Sequence, residues 1–337
     1  MRKLLSECLV ILIFIGICVQ CSQQTPDELP KATQIAQTQT AQPIATMWSR
    51  LNVTSVARAT NYALTPSPTP SPVPTIAYSP ILLTERTFND YTLRIYKYDP
   101  VYAGFEIWQN TTRVHAYADV QIFWLEPPDK KESELAHIAM GQDITGDGKA
   151  NLVVTYWNGG AHCCTFFYIF EIAEQFKPIA VLHNGHTWID RENFVNLDED
   201  PALEFVTQDW TFAYWRTCFA ASPAPKVILK YNNETYHLAC DLMSQPMPSQ
   251  DELASIVQEI LTAPEWQAPM PPVLLWKTML DLIYTGHASA AKQLLADAWP
   301  TTMPGKEKFW VEFLSELSNS RYWDDLLVCS PDLVPIP

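Results

Sequence analysis

Two nine-residue stretches share one spacing of side-chain oxygens and so constrain what this chain can become. Asp143-Ile144-Thr145-Gly146-Asp147-Gly148-Lys149-Ala150-Asn151 places them at relative positions one, three, five and nine. Fifty-three positions on, Asn196-Leu197-Asp198-Glu199-Asp200-Pro201-Ala202-Leu203-Glu204 does the same. Each stretch leads into an apolar run, LVV after the first and FV after the second. A tight loop of this kind converges alternate side chains and one backbone carbonyl, and a hard cation such as calcium takes six to eight oxygens at ~2.3–2.6 Å. Gly148 permits the sharp turn that this convergence needs. The bland alternative is a pair of Asx-rich turns, in which Asp and Asn close the loop on their own backbone. The second copy favours the cation reading, because two loops of one grammar, each feeding a strand, are hard to obtain by chance.

The surrounding sequence predicts the frame for these loops. From about Ile81 to Leu242, the segments YTLRIYKY, AGFEIWQ, CCTFFYIFEI, LEFVTQDW and PKVILKY are rich in β-branched and aromatic residues and are separated by Asn, Asp, Gly and Pro. That pattern predicts strands, and we read residues 81–246 as a mainly β domain. After Pro246 the period changes. Ser249 and Glu252 form a capping-box pattern before DELASIVQEIL, VLLWKTMLDLIY starts at Pro272 and ends near Gly286, and SAAKQLLADAW and EKFWVEFLSEL follow. Residues 247–337 are therefore expected to form a small all-α domain. The pair around LDLIYTGHASAAKQLLADAW is similar to one unit of a tetratricopeptide-type hairpin.

The two loops resemble the calcium-loop repeats of integrin α-chain propellers and their bacterial relatives, the FG-GAP or VCBS-type repeats. The resemblance covers roughly residues 141–206. It implies β-blade architecture, calcium held between adjacent strands, and extracellular recognition or adhesion. It also implies the ligands: Asp143, Thr145, Asp147, the Lys149 carbonyl and Asn151 in the first loop, and Asn196, Asp198, Asp200, the Ala202 carbonyl and Glu204 in the second. Thr145 and Asn151 stand where carboxylates are common in the family, and Pro201 stands where it favours Gly. The first loop keeps two formal negative charges. A full propeller needs several four-stranded blades, and residues 81–242 have room for about three. The expected fold is a propeller-like stack of blades or a sandwich, too short for a full propeller, with the helical domain or a partner covering an exposed edge.

The N-terminus reads as an export signal: Arg2 and Lys3 lead an apolar run from Cys8 to Val19, too short to span a bilayer core of ~30 Å comfortably. With Cys18 and Cys21 at its end, it resembles a bacterial lipoprotein signal, although Ile17 and Gln20 stand where that family has a small residue before the cysteine. The resemblance implies cleavage before Cys21 and lipidation of that residue; an uncleaved signal anchor and simple secretion are the alternatives. Residues 22–80 shift to Gln, Thr, Ala and Pro and end in TPSPTPSPVPT, which predicts an extended, solvated stalk. Ile44, Met47, Trp48 and Leu51 fall at helical spacing within it. The chain of 337 residues is 47% apolar with twelve Trp, enough to build real cores, and its net charge of −15 excludes broad nucleic-acid binding. Acidity of this kind suits cations and solubility.

His162, Cys163 and Cys164, with His183 and His186 nearby, are a second chemistry-capable cluster. Thiolate and imidazole suit zinc or copper, but adjacent cysteines point to opposite faces of a strand. A thiol nucleophile activated by histidine is another reading. The third is disulfide chemistry, with Cys218 bridging to Cys240 and Cys163 and Cys164 either bridging each other or sending one to Cys329. The aromatic segment DWTFAYWRT, residues 209–217, alternates enough to be a strand, with Asp209 and Arg216 suited to polar substrate groups or to a salt bridge; its aromatics suit a core or a sugar platform.

The leading expectation is an exported, envelope-attached, calcium-stabilised binding or adhesion protein for a protein or carbohydrate ligand. The alternatives are an extracytoplasmic hydrolase or redox enzyme using the His-Cys-Cys region, and a scaffold recruiting a partner through its helical tail.

Overall fold

The computed structural model describes residues 80–97, 103–119, 124–125, 138–160, 163–185, 193–232, 234–267 and 270–333. The export signal and almost all of the stalk lie outside them. Among the described residues three four-stranded antiparallel meanders follow one another in sequence. The first runs β1 (Ile81–Phe88), β2 (Tyr91–Lys97), β3 (Ala103–Gln109) and β4 (Thr112–Asp119). Its tight turns carry Asn89 and Asn110 at positive φ, where Asn is tolerated. The second contains β5 (Trp124–Leu125), β6 (Asn151–Gly160), β7 (Cys163–Ile172) and β8 (Phe176–His183). The third contains β9 (Phe194–Val195), β10 (Glu204–Gln208), β11 (Lys226–Tyr231) and β12 (Tyr236–Leu238).

Side chains on a strand alternate between faces, and the second sheet uses both. Leu152, Val154, Tyr156, Tyr168, Phe170 and Ile172 face one way and pack on Leu93, Ile95, Phe105 and Ile107 of the first sheet. Val153, Phe167, Ile169 and Leu182 face the other way and join Phe194, Phe205 and Leu229 of the third. The sheets therefore stack with the second in the middle, and each fully buried Phe or Ile in these layers contributes about 1.5–3 kcal/mol. The outer face of the first sheet is polar: Arg94 pairs with Glu85 at 2.6 Å and lies over the Trp108 ring, while Glu106 accepts bonds from Trp108 and Arg113. Among the described residues the three sheets close into neither a barrel nor a propeller ring.

Among the described residues six α-helices follow: α1 (Cys240–Met243), α2 (Gln250–Leu261), α3 (Val273–Tyr284), α4 (Ala288–Ala298), α5 (Lys306–Leu317) and α6 (Trp323–Cys329). The Ser249–Glu252 capping box forms in both directions. Gly286, at φ +90°, makes the turn between α3 and α4 that sequence spacing predicts. No helix among the described residues is long and apolar enough to cross a membrane.

The change of period at residue 246 is not a change of core. Phe205, Phe212 and Leu229 share one buried cluster with Trp276, Phe309 and Phe313, so the helices cap the third sheet. Two polar ties cross the same boundary. Asp325 at the start of α6 accepts from the Leu238 backbone N–H at 2.9 Å and bonds His237 Nδ1 at 2.8 Å. Buried Asp209, just past β10, accepts from Thr211 N–H and its hydroxyl at 2.8 and 2.6 Å, and from the hydroxyls of Tyr284 and Ser320.

Two sequence expectations are corrected here. Cys218 does not bridge to Cys240: Cys240 opens α1 directly after β12 and is bonded to Cys329 at the end of α6, with Cα atoms 5.2 Å apart. A short loop favours a local bridge, but the docking of α6 beside β12 decides the partner. It equally removes Cys329 as a partner for Cys163 or Cys164. Cys218 is in a disulfide as well. The second correction concerns residues 209–217, which are turns and not a strand. The Asp209 carboxylate captures the Thr211 N–H and stops β10 at Gln208, and Tyr214 and Arg216 then adopt positive φ. Phe212 is core, and Trp215 packs against it. Trp210 stacks on Phe219 at 5.0 Å, and Tyr214 is exposed. Arg216 pairs with Glu312 and lies over the Trp215 and Phe309 rings.

Candidate metal centre

The first acidic loop leads directly into β6 and the second directly into β10, as the sequence grammar predicts. In the first loop Asp143 is the hub. Its Oδ1 accepts from the N–H groups of Thr145 and Gly146 at 3.0 and 2.7 Å, and its Oδ2 accepts from Gly148 N–H at 2.8 Å. Asp147 Oδ1 accepts from Lys149 N–H at 3.0 Å. Asn151, fully buried at the start of β6, accepts from Ile144 N–H at 2.8 Å, and its Nδ2 has no hydrogen-bond partner among the described residues. The Thr145 hydroxyl lies 3.2 Å from Asp143 Oδ1, 3.1 Å from Asp147 Oδ1 and 3.3 Å from Asn151 Oδ1. A hydroxyl carries one proton, so it satisfies one of these three oxygens at a time. Four of the five predicted first-loop ligand residues thus converge through their side-chain oxygens. The fifth, Lys149, is predicted to contribute its backbone carbonyl; its amine bonds Glu171 at 3.0 Å and lies 3.4 Å from Asp147. Burial raises the Asp147 carboxyl, but the bonds from the Lys149 N–H and the Thr145 hydroxyl outweigh it, so the group lies below the usual carboxylate range.

The second loop gathers three carboxylates. Ligand oxygens of Asp198, Asp200 and Glu204 all lie within 4.8 Å of one another. Asn196 closes the turn: its Oδ1 accepts from Glu199 N–H at 2.7 Å, and its Nδ2 donates to the Asp200 carbonyl. Asp200 Oδ1 accepts from the N–H of buried Ala202 at 2.7 Å. Glu204 is 0% exposed; its Oε2 accepts from Leu197 N–H at 2.7 Å, and its Oε1 is buried with no hydrogen-bond partner among the described residues. Burial pushes the Glu204 carboxyl above its ordinary range, and neighbouring Asp198 pushes the same way. An acceptor buried without a donor costs about 1–3 kcal/mol. A hard cation is a partner its chemistry suits, so the three carboxylates could hold a metal ion.

Sequence reasoning missed Lys230. This residue of β11 places its amine against Asp198 Oδ2 and at 2.6 Å from Asp200 Oδ2. The bond from Lys230 holds Asp198 below its usual range, and Asp198 and then Asp200 hold the lysine well above its own. The available signal was a cation between Leu229 and Tyr231, the second lysine of the strand KVILKY; nothing in the spacing linked it to the acidic loop.

The two loops also touch. Leu203 N–H donates to the Ile144 carbonyl at 2.9 Å, and Gly146 lies against the backbone of Ala202. Both loops take a left-handed residue at position four, Gly146 at φ +73° and Glu199 at φ +64°; at position six Gly148 does so at φ +81° while Pro201 cannot. A Cβ on Gly146 would sit 2.7 Å from Ala202 N, whereas one on Gly148 meets nothing within 4 Å. Gly146→Ala is therefore expected to cost about 2–3 kcal/mol in urea unfolding and Gly148→Ala about 1 kcal/mol. Equal losses would show that contact between the loops contributes nothing.

The histidine and cysteine cluster is described only in part. His183 Nδ1 accepts from Gly185 N–H at 2.9 Å, and its ring meets Phe166 edge-on at 4.7 Å. His162, His186 and the side chains of Cys163 and Cys164 lie outside the described residues.

Comparison of the chain with protein-family models, curated proteins and solved structures gives no match.

Proposed function

We propose that this chain is an exported, envelope-attached binding protein in which calcium, held by residues 143–151 and 196–204, stiffens a propeller-like stack of three blades that presents a surface to a protein or carbohydrate ligand. The carrying observation is the pairing of the loops: two copies of one oxygen spacing converge their side chains and bond to each other through Leu203 and Ile144. A cation in either loop ties the strand behind it to the turn before it. Because the first loop feeds the second sheet and the second loop feeds the third, the loops join adjacent layers. Export and attachment rest on the N-terminal residues, and the stalk would hold the stack away from the envelope.

The test is calorimetric melting of the full chain in chelator and in excess calcium. A ligand at 100 times its dissociation constant adds about 2.7 kcal/mol, so Tm should rise by about 5–10 °C. Asp143→Asn with Asp147→Asn should remove the first-loop share of that rise. Identical melting in chelator and calcium defeats the proposal.

A further inference from the structure

The second loop contains a cation of its own. Lys230 reaches from β11 to bond one oxygen each of Asp198 and Asp200, yet Glu204 Oε1 beside them stays buried with no hydrogen-bond partner among the described residues. An ammonium is a compact charge with three donors. Here it serves two of the three carboxylates. A divalent cation collects six to eight oxygens and would take Glu204 along with both aspartates. Two positive centres do not share the same carboxylate oxygens in contact, so one must leave. The lysine can do so: its stem has four carbons, and its side chain is 29% exposed, leaving a route to solvent.

We infer that Lys230 is a built-in competitor for this site, so that a divalent cation enters the Asp198, Asp200 and Glu204 cluster only by expelling the Lys230 ammonium. The inference rests on reading the acidic loops as cation sites and goes beyond it by assigning an internal occupant to one of them. The first loop carries a looser version of this device, because the Lys149 amine touches one ligand carboxylate only, Asp147 at 3.4 Å, and lies closer to Glu171 at 3.0 Å. The second loop therefore fills at higher calcium than the first. Its filling frees a lysine from β11, which makes the exposure of one amine a readout of calcium concentration.

The experiment uses the full chain carrying Asp143→Asn and Asp147→Asn, so that only the second loop is read. Calcium isotherms are compared for Lys230, Lys230→Arg and Lys230→Met in that background. Lys230→Met is expected to bind calcium at least about tenfold more tightly than the two cationic forms, and adding Glu204→Gln should abolish the gain. Affinities within twofold of one another, or no binding by Lys230→Met, overturn the inference. A second measurement needs no substitution: acylation of Lys230 by an amine reagent, mapped by mass spectrometry, should rise severalfold between chelator and calcium at about 10 mM, above the ~0.1–1 mM dissociation constants of weak extracellular sites. Unchanged labelling of Lys230 under those conditions also overturns it. Failure of the first loop appears separately, as an unsubstituted chain whose calcium response is not altered by Asp143→Asn and Asp147→Asn.

Discussion

Asp209→Ala is expected to destabilise the protein by about 3–5 kcal/mol, one of the two largest losses from a single side chain away from the acidic loops. The Asp209 carboxylate is buried and receives a backbone N–H and three hydroxyl groups, from Thr211 in its own turn and from Tyr284 and Ser320 in the helical part. Hydrogen bonds to a charged acceptor contribute about 1.5–3 kcal/mol each, and removing the acceptor leaves buried donors unsatisfied. Asp209→Asn is the informative control. Its oxygen still accepts, and the Tyr284 and Ser320 hydroxyls can rotate to accept from its amide, so about 1–2 kcal/mol should be lost. Urea unfolding followed by tryptophan fluorescence and by far-ultraviolet circular dichroism measures both variants. Because the helices and the third sheet share one core, the two signals should move together. A helical signal that melts apart from the fluorescence, or an alanine variant as stable as the parent, would refute the role given to this carboxylate.

The second large effect concerns the bridge between Cys240 and Cys329, which are 89 residues apart in sequence. In the chain-entropy model a closed loop of this length stabilises by about 4–5 kcal/mol, because the oxidised unfolded chain has lost the freedom of the whole helical part. Cys329→Ser should therefore lower stability by about 4 kcal/mol. Digestion without reductant should recover the peptides around Cys240 and Cys329 linked to each other. Recovery of a Cys218–Cys240 peptide instead would restore the pairing that spacing suggested.

Runs of β-branched and aromatic residues between turn residues located β2, β3, β7, β10 and β11, the apolar run after the first acidic loop located β6, and the Ser249–Glu252 box located the start of α2. Such signals are local: a strand alternates every second residue and a cap acts over four. The oxygen spacing of the two acidic loops is local in the same sense, and it was legible down to single positions, including the strand behind each loop.

What failed depended on residues far apart in the chain. DWTFAYWRT has a strand's composition, yet Asp209 turns inward to hydroxyls from residues 284 and 320, and the strand ends. Cys240 prefers Cys329 over the nearer Cys218 because α6 docks beside β12. Strands give way to helices at Cys240, before the predicted boundary at residue 246, and neither position separates one core from another, since the helices bury the open face of the third sheet.

The sequence alone determined part of the local chemistry: the strands β2, β3, β6, β7, β10 and β11, the helices α2 to α5, and where side-chain oxygens recur in a pattern suited to a cation. Only the tertiary structure decided that the two loops lie against each other and that one of them receives a lysine from β11. The reason is geometric. Loop grammar is set by bonds within nine residues, whereas the charge that meets a loop comes from whichever strand packs beside it.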